Sequence, residues 1–193
     1  MHVRNLSLLV VVGLAAVSGC SKGADEPQPG ASQGNEVPPA TGTVPMNKLT
    51  DGQIAQILTT VDEGEIEQAK LAQTKATDPE VRSFANHMIE QHTAAKQTGA
   101  QLASQSSLKP ADSPKAQELK HASEQVIKDL NAADEKNFDI TYMDAQIKQH
   151  SEVLTLIKDQ LLPAVVEPGL RDHLTQARGM VQQHLDQAKQ IKK

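Results

Sequence analysis

The chain has 193 residues, a formal net charge of −5 and only three aromatic side chains, Phe84, Phe138 and Tyr142. The negative balance disfavours anionic partners. With few stacking platforms and no basic cluster beyond Lys192 and Lys193, the chain lacks the footprint of a nucleic-acid binder, and nucleic acid is excluded as a partner. The single cysteine, Cys20, excludes an internal disulfide, so the folded part must be stable through packing alone.

In chain order, Arg4 supplies a positive start and Leu6 to Val17 form an apolar run that ends in the small residues Ser18 and Gly19. This is the anatomy of a signal peptide. The run is well short of the roughly 20 apolar residues that a spanning helix needs, and no later segment is apolar enough to cross a bilayer. Residues 1–19 are therefore set apart from the fold. The segment Val17-Ser18-Gly19-Cys20 resembles the lipobox of bacterial lipoproteins. That resemblance implies cleavage before Cys20, diacylation of its sulfur and acylation of the new amino terminus. More than one acyl chain gives durable membrane anchoring. An ordinary secretory signal would instead leave an unpaired thiol in an exported protein, which needs a special explanation. Ser21 resembles the residue that follows the cysteine in lipoproteins sent to an outer membrane. The expected location is the bacterial cell envelope, lipid-anchored and facing the periplasm, with the outer membrane favoured over the inner.

Residues 20–47 carry the lipidated cysteine and a linker in which Pro27, Pro29, Pro38, Pro39 and Pro45 alternate with glycines and polar residues. Such a composition cannot build a core and reads as a disordered tether. Its r.m.s. reach would be roughly 30 Å, enough to hold a small domain clear of lipid headgroups.

Residues 48–193 suffice for one domain with a single core. Their apolar residues recur at steps of three and four, and no stretch alternates at period two, so the domain is expected to be all-α. Thr50 with Gln53 forms a capping box that opens a helix running to about Ala76. Asp78 and Pro79 open a second, to about Ser106. Ser107 to Pro114 is expected as a loop, Lys115 to about Leu130 as a short helix, and Ala133 to Leu161 as a long one. Pro163 and Pro168 should bracket a turn before a last helix from Gly169 to about Ile191. The expectation is a four-helix bundle with one extra short helix.

The seams of the long helices each contain an ionisable residue. The first presents Ile54, Leu58, Val61, Glu65 and Ala72, and the second Val81, Ala85, Met88, His92, Ala95, Gly99 and Leu102. The third presents Ile140, Met143, Ile147, His150, Leu154, Ile157 and Leu161, and the last Leu170, Leu174, Ala177, Val181, His184, Ala188 and Ile191. Glu65 and His92 stand at similar distances from the turn near Thr77, and His150 and His184 are centred near Glu167. If the two hairpins pack antiparallel, all four residues share one layer. That layer has three readings. The histidines can be buried neutral groups that hydrogen-bond Glu65, Tyr142 or backbone and fix helix register. They can coordinate zinc, iron or copper together with the carboxylate. Glu65 can also be a carboxyl of raised pKa used in acid–base work, although no nucleophile or oxyanion donor accompanies it. The first reading leads and makes the chain a structural or binding module without assigned catalysis; the second makes it a metal-binding sensor, store or redox protein of the periplasm with a mononuclear site. His87, His121 and His173 are expected in solvent, while Met88 and Met143 are expected as core filler.

The stretches VRSFANHMIEQH (81–92), FDITYMDAQIKQH (138–150) and HLDQAKQI (184–191), with Glu65 upstream, resemble the bacterial envelope family known as the domain of unknown function numbered forty-one forty-two. Its members are often labelled outer-membrane or exported proteins, so other envelope proteins are the expected partners besides the membrane. The resemblance covers nearly the whole domain from Thr50 onward. It implies a ferritin-like four-helix bundle and no particular activity. Ferritin-like di-iron sites place a glutamate three residues before each ligand histidine. Here those positions hold Ile89, Ile147 and Val181, so a di-iron site is not supported.

Overall fold

The computed structural model describes residues 48–192. The expected signal peptide, Cys20 and the expected linker to position 47 lie outside the described residues. Helix α1 spans Asp51–Lys75, α2 Pro79–Gln105, α3 Pro114–Ala132 and α4 Glu135–Leu156. A π-helical turn, Ile157–Leu161, continues α4 into the short α5, Leu162–Ala164, and α6 spans Pro168–Ile191. No strand occurs among the described residues.

The helix starts follow from local chemistry. Thr50 accepts the Gln53 N–H at 3.3 Å while the Gln53 side chain accepts the Thr50 N–H at 3.0 Å, completing the capping box. Asp78, Ser113, Asp134 and Glu167 cap the other long helices through their side chains. Pro114 and Pro168, expected just before a helix or in a turn, are instead first-turn residues, where the missing N–H removes no helical bond.

Pro163 also departs from expectation. It does not end the fourth helix but sits inside α5, and the turn is confined to residues 165–167. In a regular α-helix its ring would strike the carbonyl four residues back. The π turn relieves this, because the Leu162 N–H reaches the Ile157 carbonyl five residues back.

Helices α1, α2, α4 and α6 form the bundle: α1 packs on α2, α4 on α6 and α2 on α6, while the extra helix α3 lies against α1 and α4. Carboxylates tie the two hairpins together. The Asp139 carboxylate on α4 accepts the Thr77 and Asp78 N–H groups at 3.1 and 2.8 Å and the Thr77 hydroxyl at 2.7 Å. Asp51 at the start of α1 accepts the Val166 and Glu167 N–H groups at 2.8 and 2.9 Å.

The core falls into two apolar halves. One gathers Ile54, Ile57, Leu58, Leu156, Ile157, Leu161, Leu170 and Leu174. The other gathers Ala69, Ala72, Phe84, Met88, Phe138, Tyr142, Met143 and Ala188. Between them, every long bundle helix contributes buried polar residues: Asp62, Glu65 and Gln68 from α1, His92 from α2, Gln146 and His150 from α4, and His184 from α6. The seam expected on α4 needs one correction, since Ile140 is 58% exposed. The bulkier Phe138 and Tyr142, about 200° around the helix from it, take the buried face.

Candidate metal centre

The belt forms because each helix interrupts its apolar stripe at the same height. On α1, Asp62 and Glu65 are three residues apart and therefore lie on one face. His92, His150 and His184 enter from the three other long bundle helices, each only 1% exposed. Their ring centroids are separated by 6.1 Å (His92 to His150), 5.2 Å (His92 to His184) and 5.4 Å (His150 to His184). One nitrogen from each ring can be chosen so that all three lie within 4.8 Å of one another.

Each ring is held through one nitrogen. His92 Nδ1 donates to Asp62 at 2.8 Å, His150 Nδ1 to the Gln146 carbonyl at 2.9 Å, and His184 Nε2 to the Gln91 side-chain oxygen at 2.7 Å. The opposite nitrogens, His92 Nε2, His150 Nε2 and His184 Nδ1, are buried and meet no protein partner. Such atoms are few in native proteins, and each costs about 1–3 kcal/mol when left unmatched. With the first nitrogen donating, the second nitrogen of a neutral imidazole carries a lone pair. Burial, reinforced by the charges of His92, His150 and His87, pushes His184 down to about 3. Burial likewise lowers His150, against the opposing pull of Glu65. Both rings are thus neutral donors near pH 7.

Glu65 stands at the edge of this cluster. Its Oε1 is 3.9 Å from His150 Nδ1, the nitrogen already committed to Gln146, and its Oε2 is buried without a partner. Tyr142 is fully buried in edge contact with Phe84 at 6.2 Å. Burial, and then the Glu65 charge, raise its hydroxyl well above the ordinary tyrosine value, so it remains a protonated phenol. Gln68 donates to Ser123 at 3.1 Å and accepts from Gln146 at 3.2 Å, joining α1, α3 and α4.

Of the histidines expected in solvent, His121 is exposed beside Glu124 and His87 is partly buried with its ring 5.8 Å from His184. His173 is a correction, for it is 7% exposed. Gly99 on α2 leaves room for its ring, since a Cβ there would lie 3.3 Å from His173 Nε2. Sequence reasoning also missed Asp62, Gln91 and Gln146, the groups that orient the three rings. Asp62 was detectable as a carboxylate one turn before Glu65, and Gln146 as a residue one turn before His150.

The chain belongs to the family described as Domain of unknown function (DUF4142), whose pattern matches residues 36–191. No curated protein matches it. Among solved structures it is similar to CopM in the Cu(II)-bound form, with a TM-score of 0.60 and 17% sequence identity over 76% of this chain and 97% of that one. At that identity the likeness shows a shared helical-bundle fold.

Proposed function

We propose that this chain is a copper-binding protein of the bacterial envelope that holds one ion on His92, His150 and His184. The observation that carries this reading is the pairing within each ring, one nitrogen anchored by an acceptor and the other buried without a partner. Metal-ligating histidines are arranged this way, and a carboxylate behind the ring, as Asp62 is behind His92, raises the basicity of the ligand. Bonds of about 2.0–2.1 Å would place three nitrogens roughly 3.5 Å apart, so rings whose nitrogens lie within 4.8 Å of one another need draw in by no more than about 1 Å.

Three imidazoles without a thiolate suit copper or zinc, and the Irving–Williams order favours copper. Iron is the weaker fit, because no carboxylate joins the nitrogen cluster and the glutamates of a di-iron site are absent. The shared fold with a protein solved in a Cu(II)-bound form supports the same choice. Glu65 then supplies negative charge beside the ion rather than a proton to a substrate. The lipobox-like segment at Cys20 supports an anchor that places the bundle on the periplasmic side of the outer membrane. The Gln68, Ser123 and Gln146 hydrogen bonds favour a second role for the neighbouring part of the belt, the fixing of helix register.

The test is elemental analysis and copper titration of the purified full chain, carrying no histidine tag, beside a variant with His92, His150 and His184 all replaced by glutamine. One copper per chain, lost in the variant, is the expected result. Failure of the wild-type protein to retain copper, zinc or iron would leave the belt a packing feature and the chain a structural module.

A further inference from the structure

His173 is a buried histidine outside the three-histidine cluster, and it is the side chain at which three clefts meet. A cleft of about 500 Å³ runs between α2 and α6, where Ala94 and Ala95 face Ala177 and Gly179. A second, of about 190 Å³, continues it toward the start of α6. A third, of about 210 Å³, lies between α1, α2 and α6 and is lined by both His173 and Asp62. His173 lines all three.

Asp62 links this region to the centre. It shares the third cleft with His173, and its Oδ1 accepts the His92 Nδ1 proton at 2.8 Å. Lys96, the one cation lining that cleft, is paired with Glu63 at 2.6 Å. Burial lowers the His173 pKa, against the opposing pull of Asp62, so its ring is a neutral nitrogen donor near pH 7 on the same cleft as that carboxylate. An imidazole and a carboxylate together can hold a late divalent transition-metal ion.

We propose that His173 and Asp62 form an outer station for a divalent transition-metal ion, through which the ion passes between the α2–α6 furrow and the three-histidine centre. This rests on the copper reading above. It assigns His173 a kinetic role and leaves the equilibrium affinity with His92, His150 and His184. Gly99 is part of the device, because any side chain there would crowd His173 Nε2.

The molecule carries its own reporter. Tyr142 is the only tyrosine and the chain has no tryptophan, so its emission is that of one buried ring. Phe84 lies between it and the centre, 6.2 Å from Tyr142 and 6.3 Å from His184, which puts Tyr142 close enough to be quenched by Cu(II). The experiment mixes the full chain with Cu(II) supplied as its glycine chelate and follows tyrosine quenching by stopped flow, then follows recovery with excess chelator. Wild type, His173→Gln, Gly99→Ala and Gly179→Ala are compared, with the triple glutamine variant as reference.

His173→Gln should slow both loading and extraction by about tenfold, within the range over which rates vary among related variants, and leave the affinity within about threefold. Gly99→Ala keeps the imidazole but sets a methyl 3.3 Å from it, and should slow loading in the same direction. Gly179→Ala, on the wall of the same furrow with no atom within 4 Å of its Cβ, should load at the wild-type rate. Wild-type rates in His173→Gln, with copper binding still abolished in the triple variant, would overturn the outer station and leave the centre standing. Loss of affinity as large as that of a single His92 replacement would make His173 a ligand of the centre, which also overturns the proposal. No copper-dependent quenching in the wild type, with no copper retained, would overturn both.

Discussion

Acid should destabilise the metal-free protein through His184, by an amount that can be worked from its environment. Its ordinary value of 6.5 falls to about 3 in the folded chain, first through burial and then through the neighbouring histidines. Between those limits the unfolded chain binds a proton that the folded chain refuses, so stability is complete above pH 6.5 and is lost as pH falls toward 3. The loss is about 1.4 kcal/mol per pH unit, or roughly 2 kcal/mol at pH 5.0 from this residue alone. Against a typical total of about 5–15 kcal/mol this is a large fraction. Urea unfolding of the metal-free chain at pH 7.5 and 5.0, wild type beside His184→Gln, isolates the contribution. His150 and His173, both lowered by burial, add acid sensitivity to both proteins. Asp62, raised chiefly by burial, works in the opposite sense in both. The wild type should therefore lose about 2 kcal/mol more than the variant on acidification. Equal losses would refute the neutral, buried state of His184. Bound copper should steepen the dependence, since protons compete for the same lone pairs.

Two further outcomes test the surroundings of the centre. Asp62→Asn keeps an oxygen opposite His92 Nδ1 but removes the charge, and copper affinity measured by chelator competition should fall about 10–100-fold. An unchanged affinity would mean that the carboxylate does not tune His92. Gly64→Ala places a Cβ 2.5 Å from Ser123 Oγ and 2.9 Å from its Cβ, so α1 and α3 must separate at a cost of about 1–3 kcal/mol. Gly179→Ala meets nothing and should raise stability by up to about 1 kcal/mol through helix propensity. Thermal melts of the two variants that shift in the same direction would contradict this contact.

What was legible in the sequence was what is local. Thr50 with Gln53 and Asp78 with Pro79 declare helix starts through bonds made within a few residues, and the three-to-four spacing of apolar residues declares the bundle. The alignment of Glu65, His92, His150 and His184 at one height followed from counting along two antiparallel hairpins, because helical rise is constant. The failures lie where neighbours decide. Ile140, Phe138 and Tyr142 offer two possible faces to the core, and only the volume available between α4 and its partners selects the aromatic one. His173 looked like a surface residue because its burial depends on Gly99, a residue on another helix. Asp62 is an ordinary helix-surface residue until α2 brings His92 Nδ1 within 2.8 Å.

The same distinction bears on why the polar belt exists. Register between α1, α3 and α4 is already specified by Gln68, which bonds both Ser123 and Gln146, and the hairpins are tied by Asp139 and Asp51. His92 and His184 add bonds between helices, to Asp62 on α1 and to Gln91 on α2, but the nitrogens that face no protein group add none. A layer selected for register alone would match its buried acceptors with donors, since an unmatched network is worse than an apolar one. On the copper reading, the three unpartnered nitrogens from three helices, with Asp62, Gln146 and Gln91 each fixing one ring from behind, are a cost to folding that a bound cation would offset. Under the copper reading, the belt is two devices at one height, a glutamine–serine lock on the α3 side and a ligand set drawn from α2, α4 and α6.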